Sequence, residues 1–187
     1  MKRTLVMMCL ASLILASASF AVADPSGDAT VPVFIVIDPN IAIVPLNPYV
    51  DMGTWQTGEF TGIIPFRVDA NTEQVKFSVA ASHLYKGGIW EAPTVAPILV
   101  YEEDGIAISA ELGNPTGGDD HIVTFLSDTD IDGFPARLTE EVTFESSQAG
   151  HFSQNVELTV GWTQPDPEKP MGQYDGKVRL FASVVLP

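Results

Sequence analysis

Apolar and polar residues alternate along much of the chain with the two-residue period of a β-strand. Val156, Leu158, Val160 and Trp162 share one face, with Asn155, Glu157 and Thr159 opposite. Val178, Leu180, Ala182, Val184 and Leu186 share another, against Lys177, Arg179 and Ser183. Such strands bury one side and wet the other, as in a two-layer fold. Runs rich in Val, Ile, Phe and Thr predict strands over 30–37, 40–46, 60–69, 74–85, 95–101, 106–112, 121–125, 136–144, 152–162 and 174–186. Turn residues separate them: Asp38-Pro39-Asn40, Lys86-Gly87-Gly88, Glu103-Asp104-Gly105 and Asn114-Pro115-Thr116-Gly117-Gly118. Helical periodicity is not sustained anywhere past the first 23 residues. The pattern predicts one all-β domain, a β-sandwich.

One run departs from the pattern. Val31, Val33, Ile35 and Ile37 form one apolar face, but Pro32, Phe34 and Val36 make the other face apolar too. Two readings stand. The run is the first buried strand of its own sandwich, or it pairs with another molecule by strand addition. At the other end, the alternating strand that finishes at Leu186 is followed only by Pro187. Its outer edge is expected to be open, and an open edge invites another strand.

Residues 1–23 read as a cleaved secretory signal. Lys2 and Arg3 are its basic start, 5–15 its apolar stretch, and Ala21-Val22-Ala23 its cleavage site. The apolar stretch is too short for a membrane span. Removing it leaves 164 residues, 7 basic and 24 acidic, for a net charge of −17. That balance excludes nucleic acid and an anionic membrane surface as partners, since phosphates require Lys and Arg. The one cysteine, Cys9, goes with the signal. An exported chain with no disulfide relies on its core, which 164 residues can supply. Thiol nucleophiles and thiolate metal sites are excluded.

The candidate chemistry is sparse. Asp128, Asp130 and Asp132 before Gly133 look like the start of a calcium loop. The twelfth position is Thr139 rather than Glu, and Pro135 interrupts the loop, so a solvated acidic turn is expected. His83, His121 and His151 have no metal-ligand spacing. Ser146, Ser147 and Ser153 near His151 lack a nucleophile elbow. Glu140 and Glu141 point to opposite faces of a strand and cannot converge on one bond. Trp162 belongs to a core face, whereas Trp55 and Trp90 lie near glycine-rich loops, where a glycan contact is the functional alternative to packing. No cofactor and no enzymatic activity are expected.

The two ends of the mature chain resemble chaperone–usher pilus subunits, most nearly the colonisation-factor type of the alternate chaperone family. Such subunits open with an alternating apolar strand that runs into Val-Asp-Pro-x-Ile. Here the stretch is Val31-Pro-Val-Phe-Ile-Val-Ile-Asp-Pro-Asn-Ile-Ala-Ile43. They close on Gly-x-Tyr-x-Gly-x-Val, here Gly172-Gln173-Tyr174-Asp175-Gly176-Lys177-Val178. Pro32 departs from the pattern, because it cannot donate a backbone hydrogen bond. Either the donor proper begins at Val33, or Pro32 sits where the strand enters its groove.

The resemblance implies an immunoglobulin-like sandwich that lacks its last strand. It implies an N-terminal donor extension, 24–37, and a pilin domain, 38–187. Val31, Val33, Ile35 and Ile37 would enter the groove of a neighbouring subunit. Val178, Leu180, Ala182, Val184 and Leu186 would border the receiving groove. The implied partners are neighbouring pilin subunits, a periplasmic chaperone and an outer-membrane usher. The implied destination is a cell-surface fimbrium that supports adhesion. The alternative is a monomeric exported binding module for glycan or calcium, with 30–37 paired inside its own sheet.

Overall fold

The structure is a computed structural model that describes residues 32–116 and 121–185. The signal sequence, Val31 and Leu186 lie outside the described residues. By contact the chain divides after Val36 into an N-terminal unit and a body, Ile37–Pro187. Of the N-terminal unit only 32–36 are described. They are exposed and belong to no strand.

The body contains fourteen strands among the described residues and no helix. They are β1 (Ile41–Pro45), β2 (Gly58–Ala70), β3 (Gln74–Ser82), β4 (Tyr85–Lys86), β5 (Leu99–Val100), β6 (Ile106–Ala110) and β7 (Gly113–Pro115). The remainder are β8 (Ile122–Val123), β9 (Phe125–Ile131), β10 (Phe134–Thr139), β11 (Val142–Ser146), β12 (Phe152–Gln164), β13 (Tyr174–Asp175) and β14 (Val178–Val184). One curled antiparallel sheet runs β1-β2-β12-β6-β7-β11-β3-β10-β9. Strand β14 pairs with β3, β5 with β12, and β8 with β6. A small second sheet joins β13 to β4. The sheet folds over on itself, so two layers enclose the main core in the manner of a sandwich, and Ala80, Ile131 and Ala136 form a small second cluster.

The alternation seen in the sequence makes that core. Val156, Leu158 and Val160 of β12 are fully buried, and β12 is paired along both edges. Phe77 of β3 meets Phe144 and Phe152 edge-on, with ring centroids 5.4 and 5.6 Å apart. This aromatic cluster ties β3, β11 and β12 across the sandwich. Each fully buried large side chain contributes about 1.5–3 kcal/mol.

Ser82, fully buried at the end of β3, links three segments. Its carbonyl accepts the indole N–H of Trp162 at 3.0 Å. Its amide donates to the Lys177 carbonyl at 2.9 Å. Its hydroxyl accepts the Lys177 amide and donates to the His83 carbonyl, both at 2.8 Å. Gly176 lets this approach happen. A Cβ there would stand 2.8 Å from the His83 carbonyl oxygen and 2.7 Å from Leu84 Cδ2.

Several expected strands differ. The strand expected over 30–37 is not formed over its described part, 32–37, because no neighbour supplies a hydrogen-bond ladder there. The strand expected over 136–144 is two strands. Thr139 Oγ1 accepts the Val79 amide at 2.9 Å, which fills the gap where the edge of β3 passes from β10 to β11. The strand expected over 174–186 breaks at the close approach of Gly176. The run 95–101 keeps only β5, with Ile98 bridged to Leu84.

Ser82→Ala removes an acceptor and a donor from a dry site and leaves the Lys177 amide without its partner. The expected cost is on the order of 1–3 kcal/mol. It should be read as a lower urea midpoint at unchanged slope.

Candidate functional site: an open groove between two strand edges

Among the described residues the sheet ends on one side at β1, and β14 has a partner on one edge only. Backbone register shows which groups these edges leave unpaired. Between β14 and β3, the pairs Lys177–Ser82 and Val185–Gln74 are hydrogen-bonded. Antiparallel ladders alternate, so 179, 181 and 183 also face β3. The N–H and C=O groups of Val178, Leu180, Ala182 and Val184 therefore point away from β3. Between β1 and β2, Asn40–Asn71 and Leu46–Pro65 are hydrogen-bonded. By the same alternation, Ala42 and Val44 face β2, while Ile41, Ile43 and Pro45 face outward. Among the described residues no ladder joins β1 to β14.

The two edges come within 8 Å of each other, Cα to Cα, in places, and beside them lies a groove of about 680 Å³. Its walls include Ile43 and Pro45 on one side and Val178 and Leu180 on the other. Ile64, Phe66, Leu84 and Trp162 also line it, and so does the strap that follows β1, from Asn47 to Val50 with Met52. The lining is mixed: apolar side chains stand beside nearly as much polar surface, including the charged residues Asp132, Asp175, Lys177 and Arg179. Arg179 Nη2 stands 2.6 Å and Lys177 Nζ 3.5 Å from the Asp132 carboxylate. The hydrogen bond from Arg179, with both cations nearby, holds that carboxyl below its ordinary value. Val178, Ala182 and Val184 are only half-buried, unlike the equivalent face of β12, because β14 lacks a neighbour on its outer side.

Of the residues expected at the groove edge, Val178 and Leu180 line it. Ala182 and Val184 continue the same face of β14 beyond the groove, and Leu186 lies outside the described residues. Of the expected donor face, Val33, Ile35 and Ile37 are 92%, 85% and 75% exposed. Phe34 and Val36 are exposed as well. The strap and Ile43 line the groove as well, outside the residues expected to border it. Alternating Ile41 and Ile43 beside Pro45 was the signal for that second wall.

The acidic turn is a hairpin. Strands β9 and β10 pair around Asp132-Gly133, with Ile131 opposite Phe134. Both turn residues have positive φ, 51° and 90°, the geometry of a two-residue type I′ loop. Gly133 is also pressed by Trp90, whose ring would stand 2.6 Å from a Cβ. The three carboxylates go separate ways. Asp128 pairs with Arg137 at 3.1 Å, Asp130 accepts the Gly133 amide at 2.7 Å, and Asp132 faces Arg179. Among the described residues no group of three His, Cys, Asp or Glu is placed to hold a metal. A chelator added to the purified protein is expected to leave its melting temperature unchanged, and calcium should not raise it.

The remaining candidates disperse. Glu140 accepts from Thr124, and Glu141 faces Lys76. His151 Nδ1 lies 2.9 Å from the Ala149 carbonyl. Trp55 stacks on Phe60 at 5.3 Å and remains half exposed, Trp90 packs on Phe134, and Trp162 is buried. Among the described residues no helix is long and apolar enough to cross a membrane. Comparison with protein families, curated proteins and solved structures finds no match.

His83 plays a structural part. Its Nδ1 accepts the Val100 amide at 3.0 Å, which requires that nitrogen to be unprotonated. Burial pushes the imidazole below its ordinary 6.5, against the pull of Glu102 and Asp128. The folded state therefore prefers neutral histidine. That contribution is complete above about pH 6.5 and is lost as pH falls through the unfolded value toward the lowered folded one. Denaturation midpoints should decline over this window, and His83→Gln should flatten that part of the profile.

Proposed function

We propose that this chain is a structural subunit of a surface pilus, assembled by donor-strand exchange. The body is an immunoglobulin-like sandwich lacking one strand, and the apolar run 31–37 of a second copy supplies it. The single observation that carries this reading is the open groove, with Ile43, Ile64, Phe66, Leu84, Trp162 and Leu180 in its lining and outward backbone groups at Ile43, Val178 and Leu180 along its edges. The same chain presents an exposed, uniformly apolar stretch, Val33 to Ile37. Unpaired strand edges and exposed apolar side chains are both costly, and one inserted strand relieves both. At ~1.5–3 kcal/mol per buried Val or Ile, the four side chains of the donor face would contribute on the order of 6–12 kcal/mol before ordering costs.

Groove and donor are different surfaces of one chain, so the contact is heterologous and propagates into a filament. In transit through the periplasm a chaperone strand would occupy the groove, and an outer-membrane usher would exchange it for the next subunit. The role is structural and not enzymatic, and residues 1–23 serve for export.

Ile35→Asp places a charge where an apolar groove would receive it. Polymerisation should stop. The isolated subunit should keep its stability within about 0.5 kcal/mol, because Ile35 is exposed. Size-exclusion profiles and melting curves of the variant check both halves. Moving residues 24–37 to follow Pro187 through a flexible linker should give a monomer that no longer polymerises and melts higher. Unfolding of the Ile35→Asp subunit, or fibres of normal length from it, would remove the donor assignment.

A further inference from the structure

The chain between the apolar run and β1 is gripped by one side chain. Asn71, in the turn between β2 and β3, donates from Nδ2 to the Asp38 carbonyl at 2.9 Å. Its Oδ1 accepts the Asn40 amide at 2.7 Å. Its own amide donates to the Asn40 carbonyl at 3.2 Å. Ile41 pairs with Ala70, so Asn40 and Asn71 are the next rung of the β1–β2 ladder. The side-chain amide then copies the donor and acceptor of a peptide group and extends the grip to Asp38. Pro39 lies between the two gripped residues, with its φ fixed and no N–H of its own. Aspartate would offer acceptors only, and serine cannot span both groups.

Resting on the fibre reading above, we propose that Asn71 is the positioning residue of the joint between successive subunits. The donor run ends at Ile37, and Asp38 is the next residue. In a fibre, residues up to Ile37 belong mechanically to the neighbour whose groove they fill, and residues from Asn40 onward belong to their own body. Asp38-Pro39 is then all the covalent chain between the two. Clamping Asp38 and Asn40 to the β2–β3 turn sets the angle at which one body follows the next and limits its swing. Asn71 touches neither donor nor groove, so it governs stiffness and not assembly.

The test uses full-length wild-type protein, Asn71→Ala and Asn71→Asp. Fibre persistence length is measured by electron microscopy, and hydrogen exchange of the Asn40 amide is followed in the subunit. Asn71→Ala should form fibres in wild-type yield, with persistence length reduced several-fold and Asn40 exchange accelerated several-fold. Asn71→Asp keeps the acceptor for the Asn40 amide but loses the donor to Asp38, so it should fall between. The melting temperature of the subunit should stay near wild type, which separates a joint from a general loss of structure. Fibres as stiff as wild type from Asn71→Ala, or unchanged exchange at Asn40, would overturn the joint while leaving the fibre reading intact. Wild-type protein that forms no fibres, with or without a chaperone and usher, would overturn both.

Discussion

The carbonyl of Ser82 receives the indole of Trp162 while its hydroxyl receives the amide of Lys177. Through these contacts β12, β3 and the start of β14 are held in one place. The rest of the groove follows from that fixed point. Trp162 is pinned where it lines the groove, and Lys177 is pinned one residue before the wall strand begins. Register then carries Val178 and Leu180 to the groove with their backbone groups turned outward. A buried hydroxyl that donates to one segment and accepts from another is a stringent device, because a shift of either partner leaves a buried group unpaired.

Much of this was legible in the sequence. The core face of β12 and the inward face of β14 follow directly from two-residue alternation. In the sequence the Gly-x-Tyr-x-Gly stretch stands out only as a resemblance. The packing around Gly176 gives it a physical meaning, since a side chain there would collide with the His83 carbonyl. Tyr174 lines the groove and donates to the Pro170 carbonyl at 2.8 Å.

Other elements were hidden for identifiable reasons. Ile131-Asp132-Gly133-Phe134 carried a strong hairpin signal, an Asp-Gly pair between apolar residues. The density of carboxylates there reads as a solvated acidic turn, which leaves no strand over β9. The break after Thr139 depends on a hydroxyl from one strand reaching an amide of another, which no local pattern encodes. The apolar run before β1 has the composition of a strand, yet strand structure needs a neighbour, and among the described residues it has none. Sequence propensity describes what a segment can pair with, and only the fold decides whether the pairing is made.

Pro45 gives the two sides of the groove unequal capacity. On β14 the outward positions Val178, Leu180, Ala182 and Val184 all carry an N–H and a carbonyl. On β1 the outward series is Ile41, Ile43 and Pro45, and the last has no N–H to give. A strand laid between them would travel on one long rail and one short rail. Within the groove it could be stitched to β14 at Val178 and Leu180, but to β1 by the single N–H of Ile43, after which the short rail ends. Such an asymmetry sets a stopping point, so the register of whatever fills the gap would be counted from the proline.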